Sequence, residues 1–108
     1  MDIHDLTAAL DTVLGPTLVA SLAGTPERDD AVEWADDDGP RPAHESELRL
    51  RIAYKTWEAL SATHDEDAAR QWFLTARDDL DGDTPLDALA TDRGDQVLRA
   101  AESSAPAA

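Results

Sequence analysis

The chain has 108 residues, with 24 Asp and Glu against 9 Lys and Arg and a formal net charge of −15. That length suits one hydrophobic core burying roughly two-thirds of the unfolded surface and leaves no room for a second enzymatic domain. The absence of Cys removes disulfides, thiolate metal sites and cysteine nucleophiles, and the acidity disfavours phosphate backbones and anionic lipid as main partners.

Leu6, Ala9, Leu10, Val13 and Leu14 recur at i, i+3, i+4, i+7 and i+8, the stripe of an amphipathic helix that Gly15 ends. Pro16 opens a short second helix carrying Leu18, Val19, Leu22 and Ala23 before Gly24. Thr25-Pro26-Glu27 reads as a third start, with Thr as cap, Pro in the first turn and Glu against the positive helix end. That helix places Ala31, Trp34 and Ala35 on one side and runs into an exposed loop, Asp36-Asp37-Asp38-Gly39-Pro40-Arg41-Pro42. The longest periodic stretch runs from about His44 to Thr63, with Leu50, Ala53, Tyr54, Trp57 and Leu60 in register and Leu48 and Ile52 flanking the stripe.

Asp65 is placed to cap the next helix, where Ala69, Trp72, Phe73 and Ala76 keep helical spacing. Arg77 to Asp83 reads as a polar turn. Thr84-Pro85-Leu86-Asp87 then restarts a helix with a capping-box pattern in which Asp replaces the usual Glu, and Leu86 and Leu89 point inward. A last helix from about Asp95 holds Val97, Leu98 and Ala101, and Ser103 to Ala108 reads as a frayed tail. No stretch alternates like a strand, so the expected fold class is all-α, built from about seven short helices.

The start, Met1-Asp2-Ile3-His4-Asp5, lacks a basic n-region and an apolar h-region, and no apolar run approaches the ~18 residues of a membrane span. A cytoplasmic protein with no membrane partner is therefore expected. Asp outnumbers Glu, and Lys55 stands alone against eight arginines, a bias like that of halophilic proteomes and partly shared with high-GC genomes. On that reading most carboxylates form a solvated face and carry no site information.

The chemistry-bearing patterns are thin. Asp78-Asp79-Leu80-Asp81-Gly82-Asp83 invites a calcium-loop reading, but setting Gly82 at the sixth position puts Arg77 at the first and Ala88 at the twelfth, where oxygen ligands are required. His4, His44 and His64 lie far apart and are expected at the surface, without the spacing that chelates zinc. No nucleophile elbow or phosphate-cradling Gly-rich loop is present, so neither enzyme activity nor a catalytic, metal or cofactor-binding residue is expected, and no cofactor. Trp34, Trp57 and Trp72 fall on helix stripes and read as packing residues. Arg41, Arg49, Arg51 and Lys55 cluster, but Glu45 with Arg49 and Glu47 with Arg51 are i, i+4 pairs in the favourable order, an intrahelical ladder.

The stretch from Ala69 to Leu89 resembles the signature of the Xre/MbcA/ParS-like antitoxins (toxin-binding domain, DUF2384-like). Trp72, Leu80, Gly82, Thr84, Pro85, Leu86, Leu89 and Gly94 match that family's Trp, Leu-Gly turn, Thr/Ser-Pro-Leu, further Leu and helix-opening Gly. Ala76-Arg77 stands where the family often has Pro-Asn. The upstream layout is similar to the family's helix-turn-helix, which divides the chain into a degenerate helix-turn-helix part (1–42), a linking helix (43–64), a toxin-binding unit (65–102) and a tail (103–108). In the recognition-helix region lie seven acids, Glu27, Asp29, Asp30, Glu33, Asp36, Asp37 and Asp38, where a DNA reader presents cations or amides to phosphates and bases.

The resemblance implies an antitoxin of a type II toxin–antitoxin system that neutralises a RES-type, NAD-degrading toxin by covering its active site. It implies a homodimer, and DNA binding only through the toxin–antitoxin complex. By carry-over the toxin-binding surface lies around Asp83, Thr84, the helix after Gly94 and the tail, with Thr84 and Gly94 matching the motif by position and Arg93, Gln96, Arg99 and Glu102 as polar contacts chosen for expected exposure. Trp72, Leu80, Gly82, Pro85, Leu86 and Leu89 are expected to build the fold. The alternatives are a helix-turn-helix transcriptional regulator binding DNA, or a structural or adaptor module of a halophile.

Overall fold

Seven α-helices and one 3-10 turn make up the computed structural model, which describes residues 1–103. The helices are α1 (Ile3–Leu14), α2 (Pro16–Ala23), α3 (Arg28–Trp34), α4 (His44–Ser61), α5 (Glu66–Leu74), α6 (Pro85–Ala90) and α7 (Gly94–Glu102), with the 3-10 turn at Asp78–Leu80. The fold is all-α, and among the described residues no helix is long and apolar enough to cross a membrane. The tail expected from Ser103 onward lies, past Ser103 itself, outside the described residues.

Local stop and start signals act where the sequence places them. Gly15 and Gly24 end α1 and α2 at φ +90° and +89°, a backbone region that Gly enters without steric cost. Pro16 and Pro85 each sit in the first turn of their helices. Asp65 caps α5 by accepting the Ala68 N–H at 2.7 Å, and Thr84 caps α6 by accepting the Asp87 N–H at 3.1 Å. Only that half of the expected capping box forms among the described residues, because the Asp carboxylate is a methylene shorter than Glu.

Leu6, Leu10 and Leu14 of α1, Val19 and Leu22 of α2, Leu50 and Leu60 of α4, Phe73 of α5, Leu89 of α6 and Val97 of α7 share one core. α4 is its axis and packs most extensively on α7. Trp34 and Trp72 are buried, whereas Trp57 is half-buried and stacks on Phe73 with ring centroids 6.4 Å apart. Trp72 meets the same ring edge-on at 5.7 Å.

Several local expectations need correction. α5 ends at Leu74 and the chain turns extended at Thr75, so Ala76 lies past the helix and is exposed. α3 begins at Arg28, so Pro26 precedes it. Thr25 instead accepts the Glu27 N–H at 3.2 Å and donates its hydroxyl to Asp30 at 2.7 Å, closing a short turn. His4 is buried, its Nδ1 lying 2.9 Å from the Trp34 carbonyl, because the last carbonyls of α3 have no partner within their own helix. Pro42, at the end of the acidic loop, is buried, although Asp36, Asp37 and Asp38 are exposed. Glu47 pairs with Arg51 at 3.0 Å as expected, but Arg49 turns away from Glu45 to Asp92.

Candidate functional site

The segment from Arg77 to Ser103 gathers the residues singled out from the sequence. Its first part is a closed loop: the Arg77 N–H donates to the Asp83 carbonyl at 3.1 Å, and the Arg77 carbonyl accepts from Leu80 at 3.1 Å and Gly82 at 2.9 Å. Closing so tight a ring requires two successive left-handed residues, Asp81 at φ +58° and Gly82 at φ +84°. The turn drives Leu80 into the core, so the segment expected as a polar turn contains a fully buried anchor. Arg77 lies over the Trp72 ring, 5.0 Å from its centroid, and forks onto Asp79 at 2.9 and 3.1 Å. Hydrogen bonds from Arg77 hold the Asp79 carboxyl below its ordinary range.

Arg93 ties this loop to the turn between α6 and α7. It pairs with Asp83, donates to the Leu80 carbonyl at 3.4 Å, and reaches Thr91 Oγ1 at 3.2 Å. Asp83 and Arg93 thus spend their charges largely on each other. Gly94 is buried where α7 crosses α4, and a Cβ there would stand 2.8 Å from Ile52 Cδ1 and 3.0 Å from Cγ2. Its packing role is close helix approach.

Beyond Gly94, α7 turns Val97, Ala100 and Ala101 to the core and leaves Gln96, Arg99 and Glu102 exposed. Gln96, Arg99 and Ser103 line a groove of about 400 Å³ that Asp79 closes on the other side. The seven residues proposed for contact therefore separate into an exposed α7 set (Gln96, Arg99, Glu102), a mutually paired set (Asp83, Arg93), a helix cap (Thr84) and a buried packing glycine (Gly94). Trp72, Leu80, Pro85, Leu86 and Leu89 are all buried, and Gly82 sits at the exposed left-handed turn. The Trp72 Nε1–H is buried with no hydrogen-bond partner among the described residues.

A second groove escaped the sequence reading. It lies between α4 and the α6–α7 junction, measures about 360 Å³, and is lined by Leu48, Ile52 and Leu89 with Glu45, Asp95 and the Arg49–Asp92 ion pair around them. Its one visible sequence signal was Leu48, an apolar residue off the buried stripe of α4. Of the recognition-region acids, Glu27, Asp29, Glu33, Asp36, Asp37 and Asp38 are exposed, and Arg28 lies within 4.0 Å of Asp29. Among the described residues, the carboxylates that approach within 4.8 Å of one another as a trio are Asp2, Asp5 and Asp37, all exposed, and not those of the 78–83 loop.

A family model described as the Rv2175c C-terminal domain of unknown function matches residues 61–105. No curated protein and no solved structure matches the chain. The matched span takes in α5, the 77–83 loop, α6 and α7, the same region that carries the antitoxin-like motif.

Proposed function

We propose that this chain is a non-enzymatic binding protein, an antitoxin whose C-terminal helical unit covers the active-site entrance of a RES-type, NAD-consuming toxin. One observation supports this reading most. The motif residues Trp72, Leu80, Pro85, Leu86 and Leu89 are all spent on packing, so they form a rigid support for the exposed Gln96, Arg99 and Glu102 on α7. A pocket that binds dinucleotide phosphates is locally basic, and a partner of net charge −15 is steered toward it. In this proposal residues 65–102 form the binding unit, α4 links it to a degenerate helix-turn-helix in residues 1–42, and the antitoxin acts as a cytoplasmic homodimer.

The acids displayed on and after α3 argue against DNA binding by the isolated chain, since a recognition helix must approach phosphates. Coexpression with an adjacent RES-type toxin tests the proposal. Rescue of growth and copurification of the two chains are expected, with loss of both in the triple variant Gln96→Lys, Arg99→Glu, Glu102→Lys. A toxic RES-type neighbour that neither copurifies with this chain nor is neutralised by it would overturn the reading. A gel shift by the isolated chain at matched salt would favour the transcriptional-regulator alternative instead.

A further inference from the structure

We propose that the groove between α4 and the α6–α7 junction docks a basic amphipathic helical segment of a partner protein. One apolar side chain enters between Leu48, Ile52 and Leu89, while flanking Arg or Lys side chains meet Glu45 and Asp95. The groove is lined by Gly94 and Asp95 of α7 and the other by Gln96, Arg99 and Ser103, so the two grooves share no lining residue.

Three observations select that occupant. Leu48 is 49% exposed on the longest helix, although polar residues suffice for solubility on the outer face of such a helix. The groove, about 360 Å³, has an apolar floor large enough for a branched aliphatic side chain. Its rim is negative: the Arg49 charge is matched by Asp92, while Glu45 and Asp95 form no ion pair among the described residues. An apolar anchor flanked by cations satisfies both floor and rim, and a helix supplies that pattern at i, i+3 and i+4. A second copy of this chain brings a net charge of −15 to the same negative rim and is the poorer fit.

The test titrates the full chain, labelled with 15N, with a short helical Leu/Lys peptide and with a peptide of equal charge whose leucines are replaced by alanine. Saturable binding of the Leu/Lys peptide is expected, with amide shifts confined to Glu45–Ile52 and Leu89–Asp95. Leu48→Ser, which removes the apolar contact without adding charge to the rim, is expected to weaken it by about tenfold, the loss of one buried aliphatic contact. Because Leu48 is half in solvent, the variant should keep its thermal melt. If it does not, Glu45→Lys carries the same expectation without touching the apolar floor. Absence of binding, equal binding of the alanine peptide, or shifts centred on the acids of α3 would overturn the proposal. Self-association abolished by Leu48→Ser would also overturn it, by assigning the groove to a second copy.

Discussion

Arg49 and Asp92 stand 43 positions apart and meet in a two-pronged ion pair, Nε to Oδ1 at 2.9 Å and Nη2 to Oδ2 at 3.2 Å. The third donor of the same guanidinium, Nη1, reaches the Ala23 carbonyl at 2.8 Å, and the nearby Ser46 hydroxyl donates to that oxygen at 3.0 Å. One side chain thereby joins the end of α2, the first half of α4 and the α6–α7 turn. A planar fork with donors pointing two ways does this, and a lysine ammonium on one flexible stem does not.

Arg49→Ala is accordingly expected to destabilise the chain by about 1 kcal/mol, because the Ala23 carbonyl loses its charged donor and keeps only the Ser46 hydroxyl. Urea unfolding measures the loss, and Arg49→Lys should fall between wild type and Arg49→Ala. Asp92 sits at φ +64°, so Asp92→Gly, which relieves the left-handed conformation, should lower Tm less than Asp92→Ala. Equal effects of the two Asp92 variants would remove backbone conformation from the explanation.

Gly94→Ala should destabilise by about 1 kcal/mol, because overpacking against Ile52 outweighs the gain in helix propensity. Ile52→Ala removes both clashing carbons. A double-mutant cycle should therefore show the Gly94→Ala penalty shrinking or reversing in the Ile52→Ala background. Additive effects would place the cost of Gly94→Ala elsewhere.

Burial pushes the Asp11 carboxyl up to about 6, against the opposing pull of Arg28, and its Oδ1 has no hydrogen-bond partner among the described residues. Because the folded pKa lies above the unfolded value of 3.8, the native state holds the extra proton between the two. The contribution of Asp11 to stability therefore falls as pH rises from about 4 through about 6, then stays flat. Asp11→Asn should remove this slope and raise stability at pH 7 by about 1 kcal/mol, after allowance for partial solvent screening. The opposite dependence belongs to Asp79 and Asp92, whose carboxyls are lowered by hydrogen bonds from Arg77 and Arg49. In Glu47, burial works upward but hydrogen bonds from Arg51 and Arg41 prevail, and the carboxyl is lowered too. Their stabilisation is lost below about pH 4, so the difference between wild type and Asp11→Asn across pH 4–6 isolates Asp11.

Thr84→Ala should cost about 1 kcal/mol as a lost N-cap, and Thr84→Ser only a few tenths. Measured beside toxin binding, the pair separates two roles. Binding that tracks stability in both variants marks Thr84 as support for the surface, whereas binding lost in Thr84→Ser at unchanged stability marks its methyl group as a contact.

Helix positions and stops were legible in the sequence because they rest on local physics. Apolar spacing, Gly15 and Gly24 as stops, Asp65 and Thr84 as caps, and Pro16 and Pro85 at first turns act over a few residues, and the structure follows them. Long-range partners were not legible. Nothing in the i, i+4 spacing of Glu45 and Arg49 announces that Arg49 turns to Asp92, that His4 answers a carbonyl of α3, or that Gly94 exists to admit Ile52. The candidate contact surface divides the same way: exposure of Gln96, Arg99 and Glu102 follows from helical periodicity once Val97 and Ala101 face inward. The mutual capture of Asp83 and Arg93 and the Leu48–Ile52 groove arise only when distant segments are brought together, where competition among partners decides each side chain's place.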